Sequence, residues 1–200
     1  MMTLREGVTR LGLSLSLGQE EALEKFLSLL TKWNDTYNLT AITDRERMVT
    51  HHLLDSLAVL PHLAGLCSLA DVGSGAGLPG IPLAVCRPEL KIASIEANQK
   101  KATFQRQAKI ELNLPNVSIY SQRVEDCVGT YDGVVSRAFS SMGDFARQAG
   151  HLSCRLFAMK GVYPESELAS LPAAWRVVNS IRLSIPGLDA ERHLIVLGRD

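Results

Sequence analysis

The chain has 200 residues, of which 46% are hydrophobic, and 21 basic side chains balance 21 acidic ones. That length fits one domain carrying a short extension, with a core large enough to fold without staples, and the composition is that of an ordinary globular protein. A formal net charge of zero argues against a wholly basic nucleic-acid binder, so any RNA contact has to come from a local patch.

Residues 1–10 are amphipathic and lack the apolar stretch of a signal peptide. From Gln19 onward Leu23, Phe26, Leu27, Leu30, Trp33 and Tyr37 recur at helical spacing and form one apolar stripe. Phe26, Trp33 and Tyr37 are therefore expected in a core rather than on a stacking platform. Thr43-Asp44-Arg45-Glu46 matches a capping box, with Thr43 as N-cap and Glu46 reaching back. The helix it opens carries Met48, Val49, Leu53, Leu57 and Leu60 until Pro61 interrupts it. On that helix His51 and Asp55 share a face. One such pair is too little for a metal or catalytic site and reads as a structural hydrogen bond joining the helical segment to the rest.

From Ser68 the pattern changes to short apolar runs alternating with helical stretches. Strands are predicted over 69–72, 91–95, 117–120, 133–136 and 156–159. A short helix is expected to end before Pro88, with further helices over 99–112 and 144–152. Segments 177–185 and 193–197 are β-rich with no helix expected between them, which predicts an antiparallel pair at the carboxy end. Alternation of strand and helix implies an α/β fold with a mostly parallel sheet covered on both faces. Residues 1–66 read as a helical extension on a core spanning 67–200, the two forming one compact unit.

Cys67, Cys86, Cys127 and Cys154 are scattered, with no C-x-x-C pair and no Cys/His group at zinc spacing. Cys67, Cys86 and Cys154 have apolar neighbours in sequence and are expected to be small core residues in a reducing compartment. No run approaches the roughly 18 apolar residues of a membrane span. The expectation is a cytoplasmic protein with no membrane and no metal.

The strongest local signal is Asp71-Val72-Gly73-Ser74-Gly75-Ala76-Gly77-Leu78-Pro79-Gly80. A strand runs into three alternate glycines and then a helix, at the sheet end where open α/β folds bind ligands. Leu78 stands where a dinucleotide fingerprint needs glycine, and Leu78-Pro79-Gly80 does not fit a phosphate-binding loop. Asp71 would repel a pyrophosphate but suits S-adenosylmethionine, which carries an ammonium and a sulfonium. Glu96 ends the second strand about 20 residues beyond the loop, where a carboxylate accepts hydrogen bonds from ribose hydroxyls. Glu125, or the backbone around it in Arg123-Val124-Glu125, is placed to meet an adenine or to cap a helix. Lys100, Lys101, Arg106 and Lys109 make a basic helix, read either as an RNA-facing surface or as a solvated outer face.

Longer blocks add a resemblance. Trp33-Asn34-Asp35-Thr36-Tyr37-Asn38-Leu39-Thr40, His51-His52-Leu53-Leu54-Asp55-Ser56 and Asp71 through Pro82 resemble the RsmG (glucose-inhibited division protein B) methyltransferases. Ser136-Arg137-Ala138-Phe139, Lys160-Gly161 and Glu191-Arg192-His193-Leu194 continue the match in the same order. This resemblance implies a class I methyltransferase (Rossmann-like) fold: a seven-stranded sheet with an N-terminal helical extension. It further implies methyl transfer from S-adenosyl-L-methionine to a guanine of 16S rRNA, giving 7-methylguanosine near the decoding site.

By that resemblance Gly73, Leu78, Val124, Glu125 and Arg137 fall on cofactor positions, and the physical argument adds Gly75, Gly77 and Glu96. Ala76 and Glu96 stand where relatives often carry proline and aspartate, changes that keep the chemistry. Arg123, Lys160, Arg192, Lys100 and Lys101 are the candidates for RNA contact, since arginine pairs with phosphate or a guanine edge. The expected partner is 16S rRNA or a 30S ribosomal particle, met by a monomer. Guanine N7 carries a lone pair and no proton, so no catalytic base is expected. Two other readings stand beside this one. A nicotinamide-dependent oxidoreductase would need the missing glycine, and a ribosome-binding or assembly factor could keep the fold without catalysis.

Overall fold

The computed structural model describes residues 2–137, 139 and 141–199. The first helix, Leu4–Arg10, opens with a capping box between Thr3 and Glu6. Ser16 and Gln19 form a second box at the start of Leu17–Tyr37, which ends where Asn38 turns left-handed at φ 50°. Leu23, Phe26, Leu27 and Leu30 are buried along this helix and Trp33 is partly buried, but Tyr37 is 42% exposed. Tyr37 sits in the last turn, where the stripe runs out against solvent.

The next helix departs from the expected cap. Asp44, not Thr43, is the N-cap, its carboxylate accepting the Arg47 amide at 2.9 Å. With the start moved one residue on, Arg47 rather than Glu46 occupies the third helical position, and the reciprocal bond of a capping box does not form. Arg45–Met48 runs into a wider π-type turn over Val49–Leu54 and back to α geometry at Asp55–Leu57. A 3₁₀ turn over Leu60–Leu63 then carries Pro61 in its opening positions, where its missing N–H leaves no bond unmade.

The sheet contains β1 (Ser68–Val72), β2 (Lys91–Ile95), β3 (Val117–Tyr120), β4 (Gly133–Ser136), β5 (Arg155–Lys160), β6 (Arg176–Arg182) and β7 (His193–Gly198). Their order is β3-β2-β1-β4-β5-β7-β6. β1 to β5 run parallel, while β7 inserts antiparallel between β5 and β6. The predicted antiparallel pair is thus present, and the order reverses at β1 and β4, which opens a crevice above their carboxy ends.

Helices Gly80–Cys86, Gln99–Glu111 and Met142–Ala149 connect these strands. The last starts earlier than predicted because Ser141 caps it by accepting the Asp144 amide at 3.0 Å. A short helix at Glu165–Leu168, after Pro164, was not expected from the sequence.

Alternating side chains divide the sheet into two cores. Leu69, Ile92, Phe157 and Val196 face one way and pack in the same cluster as Leu27, Leu53, Leu54 and Leu57 of the helical extension. Ala70, Ala93, Ala158 and Leu197 face the other way, beneath Phe145, Ala149 and Trp175. The extension therefore completes one of the two layers.

The cysteines do not follow their sequence surroundings. Cys67 and Cys154 are exposed and Cys86 is partly covered, while Cys127 is buried. Cys67 and Cys154 immediately precede β1 and β5, where the chain enters the sheet from its solvent edge. Among the described residues no helix is long and apolar enough to cross a membrane.

Candidate active site

β1 delivers the chain into the glycine loop with φ of 64° at Gly73, 58° at Gly75 and 83° at Gly77, the left-handed region that glycine enters without strain. The Gly73 amide donates to the Ile95 carbonyl at the end of β2 (2.9 Å). Glu96, one residue on, clasps the loop: Oε2 accepts the Gly75 amide and Oε1 the Asn98 amide, both at 2.7 Å. Beneath the loop Ser74, Ser94 and Gln105 form a buried polar set that sequence patterning did not single out. Ser94 Oγ donates to Gln105 Oε1, and Gln105 Nε2 donates to Ser74 Oγ (2.8 Å) and the Gly75 carbonyl (2.7 Å).

The glycines do different work. A Cβ on Gly75 would meet nothing within 4 Å, so this residue faces open space. A Cβ on Gly77 would lie 2.4 Å from Ile81 Cδ1, so this glycine makes room for the following helix. Gly77 lines neither cavity described below.

Asp71 requires a correction. Its carboxylate does not face a ligand; it is fully buried under the loop, with Oδ2 accepting the Gly80 amide at 2.7 Å. Its Oδ1 has no hydrogen-bond partner. Burial pushes this carboxyl up to about 7, against the opposing pull of the Gly80 N–H and the Arg137 charge.

Gly73 stands between two cavities. The first, about 380 Å³, is bordered by Ile95, Glu96, Val124, Glu125 and Phe139. Val124–Asp126 is a single 3₁₀ turn after β3 that presents Val124 as a buried apolar wall. Arg123 also borders this cavity, with its guanidinium 3.8 Å from Glu125. Of the residues read as RNA contacts it is the one on the Glu96 side.

The second cavity, about 490 Å³, lies between the loop and the helical extension. Gly73, Gly75 and Leu78 form one wall, Leu39, His51 and Asp55 another, with Arg137, Lys160 and Arg192 between them. Asp55 joins the walls. Its Oδ2 pairs with Arg137 Nη1 at 2.9 Å and its Oδ1 with Arg192 Nε at 3.0 Å. The extension is thus tied to the core through Asp55 and two arginines, without the His51 side chain. His51 Nδ1 faces its own helix, near Thr50 Oγ1 and the Arg47 carbonyl. Only its carbonyl joins the network, accepting from Arg137 Nη1 at 3.1 Å.

His52 is buried beside this cavity, with Nε2 3.0 Å from Thr40 Oγ1, while Nδ1 has no hydrogen-bond partner. Burial, and then the Arg137 charge, brings it down to about 4, so the ring is neutral at ordinary pH. Lys160 borders the cavity, but its ammonium is held by Glu167 Oε2 (2.7 Å) and the Phe139 carbonyl (3.1 Å). Lys100 and Lys101 lie at the start of the Gln99–Glu111 helix, outside both cavities, with their amides capped by Asn98. In the block that begins at Ser136, Ala138 lies outside the described residues. Among the described residues no group of three His, Cys, Asp or Glu side chains could hold a metal ion.

The structure therefore brings Gly73, Gly75, Leu78, Glu96, Val124, Glu125 and Arg137 around one divided cleft, with Arg192 on its outer side. Sequence reading missed the contribution of Leu39, Thr40 and Asp55 to that cleft. The acid one helical turn beyond a histidine was visible, but its long-range partners were not.

The family model for rRNA small subunit methyltransferase G matches residues 19–195. The ribosomal RNA small subunit methyltransferase G of Aromatoleum aromaticum is 55% identical, the alignment covering 99% of this chain and 98% of that one. Its namesake from Neisseria meningitidis serogroup B is 48% identical, covering 98% and 97%. Among solved structures, the Burkholderia thailandensis 1,6-didemethyltoxoflavin-N1-methyltransferase, described with S-adenosylhomocysteine bound, superposes with a TM-score of 0.59 at 15% identity, covering 93% of this chain and 92% of that one. A SAM-dependent methyltransferase from Aquifex aeolicus gives 0.58 at 17% identity, covering 77% and 93%. At these identities the structural likeness carries the fold alone.

Proposed function

Because this chain belongs to the rRNA small subunit methyltransferase G family, we propose that it transfers a methyl group from S-adenosylmethionine to N7 of a guanine in 16S rRNA near the decoding site. The observation that carries this reading is the cleft divided at Gly73. One side offers a carboxylate and apolar walls suited to a nucleoside, and the other offers arginine donors suited to the cofactor's carboxylate end and to an acceptor-rich base.

The residues present fit the cofactor. Glu96 has each carboxylate oxygen on a loop amide and still borders the cavity, where its remaining lone pairs accept ribose hydroxyls. Val124 and Ile95 supply apolar contact for the adenine, with Glu125 at its edge. Gly75 leaves open the space that a side chain would fill. When bound, S-adenosylmethionine supplies an electrophilic methyl group on a sulfonium.

The chain's own task is positioning. Guanine presents N7 and O6 as acceptors on one edge, and Arg192 has N–H groups beyond those bound to Asp55 and Glu191 that can donate to O6. N7 has no proton to lose, so the pocket needs no base, and holding the base in line while excluding water supplies the acceleration. Residues 1–66 act as an extension of the 67–200 core that closes the outer wall, in a cytoplasmic monomer acting on 16S rRNA or a 30S particle.

Calorimetry with S-adenosylhomocysteine and, separately, with NAD tests the cofactor side. The expected result is saturable S-adenosylhomocysteine binding that Glu96→Ala weakens at least about tenfold, a loss of about 1.4 kcal/mol. Binding of NAD with none of S-adenosylhomocysteine would overturn the reading in favour of an oxidoreductase.

A further inference from the structure

We infer that Asp55 is a positioning residue that couples occupation of the cofactor side of the cleft to occupation of the RNA side. The inference rests on the functional reading above: Arg137 and Arg192 line the same 490 Å³ cavity, where the cofactor's carboxylate end, reaching past Gly73, would meet Arg137 and the guanine would meet Arg192.

Asp55 is contributed by the helical extension, directly after the π-type turn Val49–Leu54, a local geometry that recurs at functional sites. Its side chain is only 6% exposed, and each oxygen holds a different guanidinium. Arg137 follows β4 and Arg192 immediately precedes β7, so the carboxylate gathers three distant chain segments at one point. Arg137 donates to Asp55 and the His51 carbonyl through Nη1, and Arg192 donates through Nε and Nη1. Other N–H groups of both side chains are left to meet acceptors in the cavity they line.

A shared anion makes the two arginines dependent on each other. A cofactor carboxylate held by Arg137 fixes that guanidinium, and with it the Asp55 carboxylate to which it is bonded. Arg192 is then already ordered when a guanine arrives, so its side-chain entropy is not lost a second time. Linkage requires the converse: RNA at Arg192 tightens the cofactor by the same factor. Ordering one long side chain corresponds to roughly a threefold to tenfold change in affinity.

Equilibrium dialysis of labelled S-adenosylhomocysteine, with and without saturating 30S subunits, tests this. The wild-type chain should bind roughly threefold to tenfold tighter in the presence of 30S. Arg192→Ala, which removes one of the two partners of Asp55, should lose the tightening. Asp55→Asn, verified as folded by thermal unfolding, should bind more weakly alone and show no tightening. If Asp55→Asn does not fold, Asp55→Glu, which keeps the charge but shifts the carboxylate away from its two partners, is measured in its place with the same expected loss of tightening. Tightening that persists in Arg192→Ala, or in folded Asp55→Asn, overturns the coupling. Wild-type binding without any tightening also overturns it while leaving the cofactor reading intact; no wild-type binding at all removes the cofactor reading itself.

Discussion

Asp71 Oδ2 lies 2.7 Å from the Gly80 amide nitrogen, and the same oxygen would lie 2.7 Å from a Cβ built on Gly80. The carboxylate caps the first turn beyond the glycine loop so closely that only glycine fits beside it. Gly80→Ala would press on the buried Asp71 side chain and on Ile92 Cγ2, 3.2 Å away. Overpacking of this kind costs about 1–3 kcal/mol, and urea unfolding should show a lower midpoint with an unchanged slope.

The same carboxyl should make stability depend on pH. Asp71 is neutral in the fold until about pH 7, against an ordinary value of 3.8. Its favourable contribution is therefore complete below 3.8 and is lost as pH rises towards 7, a change of up to about 4 kcal/mol. His52 acts in the opposite direction: lowered from 6.5 to about 4, it contributes stability above 6.5 that is lost as pH falls through 4. The two slopes offset each other in the wild type between about pH 4 and 6.5 and separate in variants. Asp71→Asn should gain on the wild type, and His52→Gln should lose against it, as pH rises across that range. Parallel pH profiles for all three proteins would contradict this assignment.

Gly75 and Gly77 should separate binding from folding. Gly75→Asn keeps a residue that tolerates left-handed backbone but projects it into the open cavity. S-adenosylhomocysteine affinity should fall at least about tenfold with little change in melting temperature. Gly77→Ala meets Ile81 Cδ1 instead, and its first effect should be a stability loss of about 1–3 kcal/mol.

Gln105→Leu tests the buried support of the loop. It removes the donor to the Gly75 carbonyl and to Ser74 and leaves Ser94 without its amide acceptor. Each unsatisfied buried group costs about 1–3 kcal/mol, so unfolding should shift clearly, with a weaker cofactor affinity from the loosened loop.

Much of this arrangement could be read from the chain. The strand, the alternate glycines and the acid ending the second strand fixed the loop, because their spacing is local and β1 and β2 are adjacent in the sheet. What escaped notice was long-range or one residue out of register. Asp55 was paired by helical spacing with His51, whereas its partners are 82 and 137 positions away. Gln105 was hidden inside a helix read for its lysines, although its side chain is fully buried. Asp71 looked like a ligand group because its position beside the loop was visible and the direction of its side chain was not. Thr43 lost the cap to Asp44 because two good capping residues stood side by side.

The most direct test of the central claim is methyl transfer itself. The chain should be incubated with S-adenosylmethionine labelled on the methyl group and with unmodified 30S subunits or free 16S rRNA. Modified positions are then mapped by strand cleavage at 7-methylguanosine. The account predicts label at a single guanine near the decoding site, lost in Arg192→Ala. No label in either RNA from a chain that binds S-adenosylhomocysteine would contradict it and leave a ribosome-binding factor on a methyltransferase fold.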